Sequence, residues 1–279
     1  MDRRTLQEYR IEGIVGVGRM GVVYLAIDPR TGRAVALKVL REDISADPVY
    51  RARFRREGEL LASLRHPHIV PTYGRGEVDG ELYIAMRLTC GTLRDMISSG
   101  PVAVGDAMQI LTAVADALDS AHAAGVVHRD VKPANVLLDP GPRIFLGDFG
   151  LARDPQGVAL TAPGQVLGSI DYMAPELLDG EGIGPATDIY GLACMAVETL
   201  TGQVPYVKDT DAAVMYAHVV EPAPSVCARR PELPAGLDEV IAAGMAKDPD
   251  ERPSSASGLV ADMFCALGEP APARALASR

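Results

Sequence analysis

Apolar residues in the first ninety positions recur with the density and spacing of strands. Ile11 to Val15, Gly21 to Ile27 and Ala34 to Leu40 are β-branched runs, of the length that makes half-buried strands. Asp28-Pro29-Arg30-Thr31-Gly32 separates the last two with a turn composition, so they predict a hairpin. From Pro48 to Arg65 the period changes. Phe54, Leu60, Leu61 and Leu64 fall at helical spacing opposite a charged face. Ile69 to Gly74 and Glu81 to Leu88 predict two further strands, joined by a polar turn over residues 74–80, which completes a five-stranded sheet. Beyond Leu88 helical periods dominate, over Thr92 to Ser98, Val104 to Ala124, Ala186 to Thr201, Ala212 to Val220 and Leu237 to Met245. The pattern predicts an α+β protein. A small β lobe with one helix occupies residues 1–88 and a larger, mainly helical lobe residues 89–267. The Pro/Ala-rich tail, residues 268–279, is expected to be disordered.

Three clusters then carry chemistry. Gly16-Val17-Gly18-Arg19-Met20-Gly21 lies between the first two strands, where glycines let backbone N–H groups approach phosphate oxygens. Dinucleotide-binding folds share that spacing, but their glycines open a helix, and these lead into a strand. Lys38 sits inside an apolar run, and burying an ammonium requires an anionic partner. Glu57, nineteen positions on and three after Phe54, is the favoured partner, because Glu59 points about 200° further round the helix. Third, Val127-His128-Arg129-Asp130-Val131-Lys132-Pro133-Ala134-Asn135 is followed thirteen residues later by Asp148-Phe149-Gly150. Asp130 can accept a proton from an attacking hydroxyl, Asn135 and Asp148 can hold Mg²⁺, and Lys132 can neutralise a transferring phosphoryl group.

That last string resembles the catalytic loop of protein kinases, and the resemblance runs from about Tyr9 to Leu267. It implies a two-lobed kinase fold in which Lys38, paired with Glu57, reaches the nucleotide phosphates. Val15, Gly16, Val17, Gly18, Arg19, Met20 and Gly21 would cover those phosphates. Val23, Ala36 and Leu137 would sandwich the adenine ring, with Met86 behind it and Leu88 supplying hinge backbone groups. Gly150 to Glu176 resembles an activation segment, Glu176 is implied to pair with Arg252, and Asp188 to brace the catalytic loop from a buried helix. Lys132 and Ser169 match the serine/threonine-directed members, and the likeness is strongest to bacterial, especially actinobacterial, kinases. ATP, Mg²⁺ (with Mn²⁺ as an alternative) and Ser/Thr-bearing protein substrates follow from the resemblance.

Regulation is implied by charge. Arg129 needs an anion if buried, and Arg153 matches a residue of the same region. Thr161 is the one hydroxyl residue between Asp154 and Ser169, so phosphate on it would meet both arginines and order the segment. Among departures from the family pattern, Gly191 and Ala193 replace a serine and a glycine, and Arg87 stands where an acidic residue is common, which predicts altered ribose contacts. A scaffold without turnover would lack one of Lys38, Asp130, Asn135 or Asp148, and all are present. Small-molecule kinases of related fold lack the Ala174-Pro175-Glu176 segment and its Arg252 partner.

A net charge of −10 argues against a nucleic-acid footprint, and 48% hydrophobic residues argue against disorder of the whole chain. Cys90, Cys194, Cys227 and Cys265 have no metal-site spacing and read as free thiols of a reducing compartment. Without a signal peptide or an eighteen-residue apolar stretch, the expectation is a cytoplasmic protein, or the cytoplasmic part of a membrane-anchored kinase. Pairing of two small lobes for phosphorylation in trans is the expected form of any homodimer.

Overall fold

The computed structural model describes residues 5, 6, 8–18, 21–46, 48, 51, 52, 54, 64–78, 80–141, 143–149, 170–180 and 182–270. The small lobe is an antiparallel sheet of β1 (Thr5–Leu6), β2 (Tyr9–Gly18), β3 (Gly21–Ile27), β4 (Ala34–Leu40), β5 (Thr72–Val78) and β6 (Glu81–Arg87), in the order β1-β2-β3-β4-β6-β5. Five of these are the expected strands, and the two-residue β1 is an addition at the edge. Alternation along β4 sorts its two faces. Val35, Leu37 and Val39 pack with Tyr9, Ala26, Tyr83 and Ala85. Ala36 packs on the other side with Met86, Val70 and Phe145, and Lys38 shares its strand parity.

The expected polar turn over residues 74–80 is largely strand, because β5 continues to Val78. A Cβ on Gly74 would stand 2.7 Å from the Tyr9 hydroxyl, and one on Gly76 2.8 Å from the Tyr83 hydroxyl. These glycines make room for tyrosines across the sheet, which is why turn residues occupy a strand. Ile69 instead forms an isolated parallel bridge with Leu146. The expected helix over Pro48 to Arg65 lies mostly outside the described residues. A short helix, α1 (Glu42–Ala46), precedes it.

The large lobe is built on α3 (Val104–Ala123) and α5 (Pro185–Thr201), with α2 (Leu93–Ile97), α4 (Pro175–Asp179), α6 (Asp211–Val220), α7 (Val226–Arg229), α8 (Gly236–Gly244) and α9 (Ala256–Leu267) around them. Every residue of α5 from Thr187 to Thr201 is buried, as expected of a helix apolar on all faces. Ala193 on this helix is accommodated by a glycine opposite, since a Cβ on Gly244 would lie 2.8 Å from that of Ala193. The sequence reading omits α9, although Ala256, Leu259, Val260 and Met263 bury a face at helical spacing. Of the predicted tail, residues 271–279 lie outside the described residues.

Two buried polar clusters fix the large lobe. Glu176 of α4 meets Arg252 in a two-pronged pair at 2.7 and 2.8 Å. The remaining arginine donors reach the carbonyls of Ala246, Ala186 and Lys247, so the buried pair is fully satisfied. Nearby, the Tyr190 hydroxyl bonds His218 Nδ1 at 2.8 Å, and Lys247 Nζ donates to the His218 carbonyl at 2.8 Å.

Burial, with Lys247 adding to it, pushes the His218 imidazole down to about 4. The unfolded chain, with histidine near 6.5, then takes up a proton that the folded chain refuses, so stability falls as pH drops from about 6.5 towards 4, by about 3 kcal/mol for this residue. Melting temperatures measured across that window should fall steeply for the native chain and less steeply for His218→Gln. Equal slopes would exclude His218 as the source. Arg252→Ala is expected to cost about 3–5 kcal/mol in urea unfolding, because Glu176 is left buried and unpaired.

Candidate active site

The catalytic loop leaves α3 and passes beneath a second, three-stranded sheet of β7 (Gly91–Thr92), β8 (Val136–Leu138) and β9 (Ile144–Leu146). Arg129 in this loop has φ 64° and Asp148, just after β9, φ 53°, left-handed conformations that cost non-glycine residues about 1–3 kcal/mol each. Asp188, buried on α5, holds the first in place. Its carboxylate accepts the backbone N–H groups of His128 and Arg129, each at 2.7 Å, and meets His122 Nε2 at 2.7 Å.

His128 ties this loop to the Asp148 segment. Its Nδ1 accepts the Asp130 N–H at 3.2 Å, so Nε2 carries the proton and donates to the Gly147 carbonyl at 2.9 Å. Desolvation lowers its pKa and keeps the ring neutral, as that pattern requires, against the pull of Asp188. Phe149 packs on it with ring centroids 4.6 Å apart. The Gly147 N–H donates in turn to the Asn135 carbonyl at 2.9 Å. The sequence reading assigns His128 no role of its own, although an imidazole within a run of candidate catalytic residues was a signal to seek its partners.

The charged side chains converge on this frame. Lys132 Nζ lies 2.6 Å from Asp130 Oδ2, and Asn135 Nδ2 donates to the same oxygen at 3.0 Å and to the Asp130 carbonyl at 2.7 Å. Lys38 Nζ donates to Asp148 Oδ1 at 2.7 Å. Desolvation raises the Asp148 pKa, but Lys38, with Lys132 behind it, outweighs that and holds the carboxyl below its ordinary range. The group is crowded on its lysine side while 40% of the side-chain surface still faces solvent. Since Asn135 commits its Nδ2 and Asp148 its Oδ1, the oxygens Asn135 Oδ1 and Asp148 Oδ2 suit a hard divalent cation.

An apolar cluster joins the two sheets. Ala36, Val70, Met86 and Phe145 form a buried cluster, with Val23, Ile84, Leu88 and Leu137 packed against it, so all five residues expected around adenine share one patch. Val15 and Val17 are exposed at the rim. A Cβ would meet nothing within 4 Å at Gly16 and only the Gly21 carbonyl, at 3.7 Å, at Gly18. Gly21 is required for a different reason than phosphate approach, since a Cβ there would lie 1.9 Å from the Val39 carbonyl oxygen of β4. Arg19, Met20, Glu57, Arg153, Thr161 and Ser169 lie outside the described residues. The Arg87 guanidinium, which stands where an acidic residue is common, pairs with Asp139 at 2.7 Å.

A two-lobed fold with two carboxylates, each paired with its own lysine, and an apolar cluster between its two sheets has the features of a phosphotransferase of the protein kinase class. Residues 9–264 match the protein kinase domain family, and the chain belongs to that family. It is 44% identical over 255 residues to the serine/threonine-protein kinase PknJ of Mycobacterium tuberculosis, which covers 89% of this chain and 43% of that protein. Identity to PknD of the same organism is 43%, over 90% of this chain and 38% of that protein. The crystal structure of the M. tuberculosis PknI kinase domain is similar with a TM-score of 0.78 at 36% identity, covering 95% of this chain and 98% of that one. The chain thus spans less than half the length of the curated relatives it matches. It is a protein kinase domain of the serine/threonine type, a family that uses ATP and a divalent metal. Among the described residues no helix is long and apolar enough to cross a membrane.

Asp188→Asn tests the brace. An amide offers one oxygen where the carboxylate offers two, so one loop N–H loses its acceptor. The expected result is a loss of about 1–3 kcal/mol of stability with at least a tenfold drop in turnover, read by urea unfolding and peptide phosphorylation. Native values for both would remove Asp188 from the argument.

Proposed function

We propose that this domain transfers the γ-phosphoryl group of ATP to serine and threonine hydroxyls of proteins, its own activation segment included. The link between Lys132, Asp130 and Asn135 carries the reading. Two donors orient the Asp130 carboxylate, which then accepts the proton of the incoming hydroxyl as its oxygen attacks phosphorus. Lys132, already at the carboxylate, neutralises charge gathering on the transferred group. Lys38, which bonds Asp148, steers the α- and β-phosphates. Asn135 and Asp148 hold the metal, for which Mg²⁺ is the favoured ion and Mn²⁺ the substitute. When bound, the cation screens the phosphate oxygens and fixes their orientation. Glu57, as the further partner of Lys38, belongs to this proposal.

Regulation by phosphate on Thr161, received by Arg129 and Arg153, is the second part of the reading, supported by the scarcity of hydroxyls in that segment. Exchange between two copies of the domain is the proposed route, inside the cell or on its cytoplasmic face.

Incubation with ATP and Mg²⁺ followed by mass spectrometry should show phosphate on Thr161 in the native chain. Asp130→Asn should show about 10²–10⁴-fold less, the usual worth of a positioned base. Phosphate elsewhere with Thr161 bare would keep the enzyme and discard the switch, while nucleotide binding without phosphorylation would discard the enzyme. Thr161→Ala is expected to lower peptide phosphorylation, and full activity of that variant would exclude the switch.

A further inference from the structure

Arg87 is the last residue of β6, at the point where the small lobe gives way to the hinge. Its Nε donates to Asp139 Oδ2 at 2.9 Å, its terminal nitrogen approaches the same oxygen at 2.7 Å, and its guanidinium carbon lies 5.2 Å from the centre of the Phe145 ring. Asp139 is nearly enclosed, with 6% of its side chain exposed against 29% for Arg87. The aspartate directly follows β8, and its N–H donates to the Arg143 carbonyl at 3.0 Å to close the β8–β9 hairpin. That hairpin has Asn135 immediately before it and Asp148 two residues after it. Phe145 itself belongs to the buried apolar cluster with Ala36, Val70 and Met86, where the kinase reading places adenine. One ion pair therefore joins the hinge end of the small lobe to the hairpin that places both proposed metal ligands, and its guanidinium lies over a ring of that apolar cluster.

We propose that Arg87 and Asp139 are a positioning pair for phosphoryl transfer, an interlobe clamp that holds hinge and hairpin at the separation nucleotide requires. This rests on the kinase reading and assigns to it two residues joined by an ion pair away from the proposed base and metal ligands. An arginine fork stacked on an aromatic face fixes a direction as well as a distance. With the pair broken, the unliganded domain occupies the competent closure for a smaller fraction of the time, and apparent nucleotide affinity falls by that fraction. Backbone bonds from Cys90 to Leu138 at 3.1 Å and from Arg87 to Pro71 at 2.9 Å remain in any side-chain variant, so the hinge keeps its path.

The test uses the native chain, Arg87→Gln, Asp139→Asn and the double variant, with dissociation constants for a fluorescent ADP analogue with Mg²⁺ beside KM for ATP, KM for a peptide, and kcat. Each single change should weaken ADP binding and raise KM for ATP by about three- to tenfold, with kcat and the peptide KM within about twofold of native. The double variant should be no weaker than the worse single, because the two side chains act as one unit. Unchanged ADP binding in both singles would overturn the proposal, as would effects that multiply in the double variant or fall equally on kcat and the peptide KM. ADP binding needs no turnover, so a domain that bound nucleotide without phosphorylating anything would defeat the kinase reading and leave this test intact.

Discussion

The catalytic loop keeps its shape against its own backbone preference because Asp188 accepts two of its amides. A left-handed Arg129 persists only where surroundings over-determine it, and the determining group comes from a helix buried on every face. That helix is buried from Thr187 to Thr201, so the reference point for the chemistry lies in the core of the large lobe. From it the order passes outward. The loop positions His128, His128 bonds the Gly147 carbonyl, and Gly147 bonds the Asn135 carbonyl. The groups proposed to hold a metal are thereby referred to the same helix as the proposed base.

Charge is organised around that frame in pairs. Asp130 is matched by Lys132, Asp148 by Lys38, and Arg87 by Asp139. The first two pairs flank the space a phosphoryl group would occupy, where a polyanion can take over the lysines as it binds. The third lies beside the apolar cluster, and Asp139, the most enclosed of the three carboxylates, loses its partner to water only at a cost.

Much of this was legible in the sequence because it is local or carried by order and spacing. Strand periodicity gave β2, β3, β4 and β6, and helical periodicity gave α2, α3, α5, α6 and α8 to within a residue or two at each end. Where the reading failed, a distant partner had changed the meaning of a local signal. Gly74 and Gly76 spell a turn, but Tyr9 and Tyr83 fill the space above them and make them strand residues. Arg87 reads only as a departure from an acidic residue, and its partner Asp139 lies fifty-two positions away. α9 is a different case, since its own spacing announces it and no tertiary partner was needed to find it.

The sequence by itself determined which chemistry this protein carries, because phosphoryl transfer needs a base, a lysine and two oxygen ligands whose types and spacing are written along the chain. It also determined the two-lobed division, since hydrophobic period is a local property. Only the tertiary structure decided which partner each charge has. It turned Arg87 towards Asp139, gave Asp148 to Lys38, made His128 the link between two loops, and set Ala193 against Gly244. Those choices depend on burial and on which atoms come within about 3 Å of one another, and a linear string does not contain either.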